Sequence, residues 1–215
     1  VNARRQAQQR LQKLRSAKPA PISGLDALLV NQFASSADAV SITNAINTLC
    51  DELEERVKAG VGVEEKNTKR ILIGGSPMAM PNWKVPGIVE NAGAVIVGEE
   101  SCVGIRTFRD LLDESFTTLE EGYAILAKRH MNVDCACFTP NTERPANIID
   151  QMNTINADGY IHYALQFCTP FTMEAFKVKR VAEEHEIPFL KIETDYSPED
   201  IGQLKTRIEA FMEML

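Results

Sequence analysis

From residue 70 onward, the sequence alternates short apolar runs with amphipathic helical patterns. Apolar runs that predict strands cover 70–74, 94–98, 160–166 and 189–193, and each of them is followed by a polar or glycine-containing loop. Helical patterns separate the strands and follow the last one. This alternation predicts an α/β fold, an open parallel sheet of about four strands with helices on both faces, of the flavodoxin-like or Rossmann-like kind.

The helices of this part are predicted from apolar spacing and from start and stop signals. They cover 84–91, 106–113, 119–130, 145–156, 170–184 and 198–215. The last helix has the clearest start, because Ser197 is a natural N-cap and Pro198 would occupy the first helical position.

The first 60 residues contain helical patterns only, at 2–14, 26–33 and 39–58. A glycine-containing, charged linker follows. We therefore expect a helical section at 1–60 and an α/β domain at 61–215. Because the sequence begins with Val1 inside a helical pattern, we also expect the chain to be a fragment that continues from an N-terminal part.

The charge balance and the hydrophobic runs exclude some functions. Thirty acidic against 23 basic residues give a net charge of −7, which disfavours a broad nucleic-acid surface. No apolar stretch is long enough to cross a bilayer and no signal core is present at the N-terminus. We expect a cytoplasmic protein that binds neither nucleic acid nor membrane.

Five cysteines without an export signal favour metal binding, redox chemistry or burial over disulfides. Cys102 and Cys168 fall in loops that follow predicted strands, and Cys135 and Cys137 fall in the polar segment 134–143. Ligands of parallel sheets collect at the carboxyl ends of the strands, so these four are candidate ligands. Cys168 also precedes a helix start, where the helix dipole favours a thiolate.

Other roles for the cysteines are less well supported by the sequence. Cys50 lies mid-helix between Ile46 and Leu53 and is predicted to be core. A zinc site is disfavoured because only one CxC pair is present, and a cysteine nucleophile because the histidines occur singly. No phosphate-binding P-loop and no dinucleotide GxGxxG motif occurs in the sequence, so the chain is not expected to hydrolyse ATP itself.

Charged residues surround one of these candidate ligands. Glu99, Glu100 and Arg106 either form a solvated charged rim or relay protons, and the sequence leaves both alternatives open. Residues 195–197 are expected to act first as loop and cap, with Tyr196 as a wall of the site. We also expect Cys102, Cys168 and Asp195 to share one edge of the sheet.

Several blocks of the sequence together resemble one family, and the final block is the most specific. They are Gly-Ser-Pro at 75–77, the segment 88–94, Glu-Glu-Ser-Cys at 99–102, Gln-Phe-Cys at 166–168, and the segments 192–197 and 202–211. The chain resembles the C-terminal part of the 2-hydroxyacyl-CoA dehydratase and benzoyl-CoA reductase family, whose members include the D-component of 2-hydroxyglutaryl-CoA dehydratase.

The resemblance implies an iron-sulfur protein that receives low-potential electrons from an ATP-hydrolysing activator and reduces a small-molecule or acyl-CoA substrate. It implies a homo- or heterodimer with a related subunit. Cys168 matches a ligand of a 4Fe-4S cluster, whereas Cys102, Cys135 and Cys137 look like the branch of proteins with a double-cubane cluster. Two alternatives stay open: a conventional (R)-2-hydroxyacyl-CoA dehydratase subunit in which only Cys168 binds iron here, and a structural α/β subunit without a cluster. An isolated fragment is expected to be inactive.

Overall fold

A parallel four-stranded sheet forms the centre of the molecule, described for residues 1–138 and 140–215 by a computed structural model. The strands are β1 (Lys69–Gly75), β2 (Ala94–Glu100), β3 (Gly159–Leu165) and β4 (Phe189–Thr194), in the spatial order β2-β1-β3-β4. All neighbouring pairs run parallel. The predicted α/β fold and its four strands are confirmed, and the order is that of the first four strands of a flavodoxin-like sheet.

Nine helices are found among the described residues. They are α1 (Asn2–Leu14), α2 (Gly24–Phe33), α3 (Ala39–Lys58), α4 (Lys84–Asn91), α5 (Ile105–Phe108), α6 (Leu119–Met131), α7 (Glu143–Ile155), α8 (Thr169–Glu184) and α9 (Ile201–Met214). Of the helices described, none is both long enough and apolar enough to cross a membrane.

Helices cover both faces of the sheet because successive strand residues point to opposite sides. On one face, α2, α4 and α9 pack against strand side chains such as Ile71, Ile73 and Ile161. On the other face, α5, α7 and α8 pack against Leu72 and Tyr160. The helices on both faces that the sequence predicted are therefore confirmed.

The N-terminal helices form a third core of their own. Apolar residues of α1, α2 and α3 pack together there, and Cys50 is fully buried among them. Arg15, at the end of α1, also reaches the sheet, where it forms a buried ion pair with Glu99 of β2. The division of the chain near residue 61 stays a prediction, and this ion pair connects its two sides.

Helix α5 is shorter than the predicted helix at 106–113, which was wrong in its extent. The side-chain amide of Gln9 donates to the carbonyl oxygens of Phe108 (2.8 Å) and Arg109 (2.9 Å). Asn2 pairs with both backbone groups of Leu112. These contacts from α1 satisfy backbone groups that a longer helix would bond internally, so the helix ends at Phe108.

The predicted start of the last helix was also wrong. Helix α9 begins at Ile201 with Asp200 at the N-cap position, and Ser197 lies outside it. Asp200 accepts hydrogen bonds from Lys84 (2.6 Å) and from the Thr194 hydroxyl. Because these tertiary contacts hold Asp200 at the end of β4, the helix starts after it and not at Pro198.

Candidate functional site

Most of the candidate residues follow the carboxyl ends of the strands. Cys102 comes two residues after β2, Cys168 three residues after β3, and Asp195 directly after β4. Since the strands run parallel and their carboxyl ends pair with one another, these three residues lie along the same edge of the sheet. Cys135 and Cys137 lie in the connection between α6 and α7, of which Thr139 is outside the described residues.

The segments that carry the four loop cysteines are joined at this edge by the buried ion pairs of Glu100, Arg144 and Glu174. The pKa of Cys137 is raised, first because its thiol shares a hydrogen bond with Cys135 and also by the negative charge of Cys135, Cys168 and Cys102. Cys102 and Cys137 are exposed, and Cys135 and Cys168 are partly exposed. The site is thus a group of free thiols at the molecular surface, contributed by three separate segments of the chain.

The four loop cysteines have the chemistry of ligands to an iron-sulfur cluster, which is the group that the resemblance implies. Within the part of the chain that the structure describes, no three His, Cys, Asp or Glu side chains are close enough to hold a single metal ion. A cubane cluster is different, because each thiolate binds a different iron atom at a separate corner. Iron-sulfur clusters are bound by cysteine thiolates, which are soft ligands. The four free and at least partly exposed cysteines therefore fit such a cluster.

The fifth cysteine lies elsewhere. Cys50 is completely buried, its thiol lies 3.9 Å from the carbonyl oxygen of Ala7, and burial raises its pKa to about 11. A thiol in such a setting is inert. The prediction that Cys50 belongs to the core is confirmed.

Cys168 directly precedes helix α8, which begins at Thr169. Cys168 occupies the N-cap position, and its carbonyl oxygen accepts from the amide of Thr172 at 3.0 Å. The preceding residue, Phe167, has a left-handed backbone with φ of 66° and an 89% exposed side chain. The turn at Phe167 therefore brings Cys168 to the positive end of the helix dipole, which favours an anionic sulfur.

Asp134, the first residue of the segment that carries Cys135 and Cys137, attaches this segment to the rest of the fold. The Asp134 carboxylate pairs with Arg109 and accepts from the side-chain amide of Asn147 at 2.7 Å. The backbone amide of Phe138 donates to the carbonyl of Cys135 at 2.9 Å, which makes a turn between the two cysteines. These contacts attach the segment to α7 and to the end of α5.

A buried chain of charges lies directly under the site. Glu100 is paired with both Arg106 and Arg144, and Arg144 is also paired with Glu174 of α8. Burial alone would raise the pKa of Glu100, but the guanidinium groups of Arg144 and Arg106 outweigh it and hold the pKa at about 2. Glu100 is therefore ionised in the folded protein.

The burial of the charged residues near Cys102 corrects the interpretation that they form a solvated rim. Glu99 and Glu100 are each 1% exposed and Arg106 is 5% exposed, so they do not form a solvated rim. Each is buried because a partner neutralises it: Arg15 for Glu99, and Arg144 together with Arg106 for Glu100. The sequence offered no sign of the partners on the Glu100 side, because Arg144 directly precedes a predicted helix and Glu174 is an ordinary charged position within another.

The chain of charges connects all the segments that carry the candidate cysteines. Glu100 ends the strand before Cys102, and Arg144 lies in the first turn of the helix after the Cys135 segment. Glu174 lies in α8, the helix that follows Cys168. Asn141 and Lys177 add a further link, because Lys177 donates to the Asn141 carbonyl at 2.8 Å. Paired buried charges of this kind fix the loops relative to one another.

Residues 195–197 form a turn. The carboxylate of Asp195 accepts from the backbone amide of Ser197 at 2.7 Å, and Tyr196 is exposed. Among the histidines, His162 is fully buried on β3, with its Nε2 3.0 Å from the carbonyl oxygen of Phe171. His130 and His185 lie in or at the ends of α6 and α8. None of these contacts brings a histidine to a cysteine within the described residues.

Comparison with known proteins identifies the family. The family described as 2-hydroxyglutaryl-CoA dehydratase, D-component, matches residues 1–215. The chain is 31% identical over its whole length to YjiM of Escherichia coli K12, provisionally named a dehydratase subunit, and covers 55% of that protein. It is 31% identical to the beta subunit of (R)-phenyllactyl-CoA dehydratase from Clostridium sporogenes over 60% of the chain and 33% of that protein.

A third relative is the beta subunit of (R)-2-hydroxyglutaryl-CoA dehydratase from Acidaminococcus fermentans. It is 37% identical over 36% of the chain and 20% of that subunit. The chain thus spans about half the length of YjiM, and its matches to the other two relatives are shorter. Because the family match extends from the first residue to the last, the chain belongs to the 2-hydroxyglutaryl-CoA dehydratase D-component family.

Proposed function

We propose that this chain is the C-terminal part of an iron-sulfur subunit in a dehydratase or reductase of the 2-hydroxyacyl-CoA dehydratase type. In this proposal Cys102, Cys135, Cys137 and Cys168 bind the iron atoms. The single observation that carries it is that the three segments with these four free thiols are held together at one edge of the sheet by the buried pairs of Glu100, Arg144 and Glu174. When bound, the cluster would supply low-potential electrons for the reduction of a small-molecule or acyl-CoA substrate.

The side chains of this chain would have defined tasks. Cys168 would bind its iron from the N-cap position of α8, and the buried pairs of Glu100 with Arg106 and Arg144 would hold the ligand segments in place. Two of the relatives are named beta subunits, so we infer a partner subunit. Since the sequence contains no P-loop, ATP hydrolysis would belong to a separate activator protein.

The involvement of Cys135 and Cys137 favours a double-cubane cluster. Both lie in the segment that Asp134 attaches to Arg109 and Asn147, and Cys102 and Cys168 follow strands at the same edge of the sheet, so all four are available to one extended cluster. The second candidate function is a conventional (R)-2-hydroxyacyl-CoA dehydratase subunit with one 4Fe-4S cluster, and only Cys168 of this chain would then be a ligand. That alternative gives no role to the other three cysteines, although each of them is at least partly exposed.

The test is the iron and sulfide content of the complete protein, purified without oxygen, with the electron paramagnetic resonance spectrum of its reduced form. Replacing both Cys135 and Cys137 with Ser should lower the iron content substantially and change the spectrum, because serine is a poor substitute for a soft thiolate. Cys50→Ala is the matched control and should keep both.

Three outcomes separate the proposals. Unchanged iron in the Cys135→Ser/Cys137→Ser variant together with iron loss in Cys168→Ser would replace the double-cubane proposal with the conventional dehydratase. Absence of iron from the complete wild-type protein would leave only a structural subunit. Iron loss in both variants, with Cys50→Ala unaffected, is the result that the proposal predicts.

A further inference from the structure

Arg106 holds an unusual position between the buried charges and the surface thiols. Its guanidinium is almost completely buried, and two of its three nitrogens are used by Glu100. Nε pairs with the carboxylate, and Nη2 donates to the backbone carbonyl at 3.1 Å. The guanidinium carbon lies 5.3 Å from the ring centre of Phe171, in the first turn of α8. These contacts fix the plane and the direction of the guanidinium.

The remaining nitrogen points to a candidate ligand. Nη1 of Arg106 lies 3.9 Å from Sγ of Cys102, within range of an N–H···S hydrogen bond. Arg144 provides an internal comparison, because it shares Glu100 and stacks on the same Phe171 ring at 5.2 Å. Its Nη1 is directed to Glu174 instead, and no hydrogen bond from Arg144 to a sulfur is found in the described part of the chain.

We propose that Arg106 is a positioning residue for the cluster: it holds Cys102 through an N–H···S hydrogen bond and supplies a fixed positive charge that makes the bound cluster easier to reduce. This inference rests on the proposed function of the four cysteines. It assigns a separate task to one arginine of the buried ion pairs, in addition to holding the loops together.

The physical reason is the change in charge on reduction. Reduction adds one negative charge to a cluster, and a cation in contact with a ligand sulfur stabilises the reduced form more than the oxidised form. Hydrogen bonds to cluster sulfurs act in the same direction. Because Arg106 is buried and held by Glu100, solvent screens its charge little and its guanidinium keeps its place.

The test is the midpoint potential of the cluster in the complete protein, measured without oxygen by redox titration with electron paramagnetic resonance. Arg106→Gln should shift the potential to a more negative value, and Arg106→Lys, which keeps the charge, should shift it less. Arg144→Gln is the matched control, because it removes the same charge from the same pair with Glu100 but no contact with sulfur. It should shift the potential less than Arg106→Gln.

The results distinguish this inference from the proposed function. A wild-type protein without iron contradicts the proposed function itself. A wild-type cluster whose potential is unchanged in Arg106→Gln, or shifted equally in Arg144→Gln, leaves the proposed function intact and overturns the role of Arg106. Loss of iron content at an unchanged potential would likewise show a purely structural role.

A second measurement detects the hydrogen bond to sulfur directly, and its first step needs only the wild-type protein. The resonance Raman bands of the iron–cysteine bonds should shift on transfer from H2O to D2O, because the donor N–H groups become N–D. Arg106→Lys should show a smaller shift, since lysine cannot keep the Glu100 contacts and reach the sulfur at the same time. Bands that do not respond to D2O would contradict the N–H···S hydrogen bond.

Discussion

The buried ion pair of Arg15 with Glu99 allows a quantitative test of how the N-terminal helices are joined to the sheet. The two side chains are each 1% exposed, and their two hydrogen bonds measure 2.8 and 2.6 Å. Arg15 also donates to the carbonyl of Ile96 at 2.7 Å. Arg15→Met would remove these donors and leave the Glu99 carboxylate buried without a partner.

The expected loss follows from the burial of both charges. Breaking a fully buried ion pair by removing one partner costs about 3–5 kcal/mol, whereas an exposed pair contributes about 0–1 kcal/mol. With a urea dependence of about 3 kcal/mol per M, the unfolding midpoint should fall by about 1–1.7 M. The assay is urea unfolding of the complete protein, followed by circular dichroism.

Two control variants make this prediction specific. Lys58→Met removes one partner of the exposed Lys58–Glu55 pair and should leave the midpoint unchanged. Arg15→Met combined with Glu99→Leu should lose less stability than Arg15→Met alone, because no unpaired buried charge remains. A loss below about 1 kcal/mol in Arg15→Met would refute the reasoning, since the pair would then behave like an exposed one.

Four further variants test the packing of the core and of the helices. Burial lowers the pKa of His162 to about 4 from the ordinary 6.5. Between pH 4 and pH 6.5, His162 therefore binds a proton in the unfolded chain but not in the folded chain. Stability should therefore fall by up to about 3 kcal/mol as the pH drops from 6.5 to 4, and His162→Gln should make the pH dependence of urea unfolding shallower. Gly74→Ala places a Cβ against the Tyr160 hydroxyl and the Glu100 side chain and should cost about 1–3 kcal/mol. Gly87→Ala, a helical position with open space, should instead raise the melting temperature slightly. Cys50→Ala should cost about 1 kcal/mol in urea unfolding, since it removes one completely buried atom.

The sheet could be predicted from the sequence because each strand is a local apolar run that ends in a loop. Runs such as 70–74 and 94–98 fall within strands Lys69–Gly75 and Ala94–Glu100. Their parallel direction follows from the helices between them. Local pattern and global fold agree in this part of the chain, so no tertiary contact was needed to find it.

Other features depend on partners that are distant in the sequence and could not be predicted from it. Helix α5 stops at Phe108 because Gln9 binds its last carbonyls, and no local signal marks that contact. Glu100 lies in a segment that looks solvent-exposed, yet Arg144 from a later helix neutralises it in the interior. The positions of the cysteines in polar loops could be recognised, but their convergence requires the folded chain.

The central claim is that Cys102, Cys135, Cys137 and Cys168 bind iron, and the most direct measurement is crystallography at the iron absorption edge. Crystals of the complete protein grown without oxygen should show anomalous iron peaks at bonding distance from these four sulfurs and none beside Cys50. The arrangement of the peaks would also distinguish one cubane from two. Iron bound elsewhere, or iron beside Cys168 without any at Cys135 and Cys137, would contradict the account.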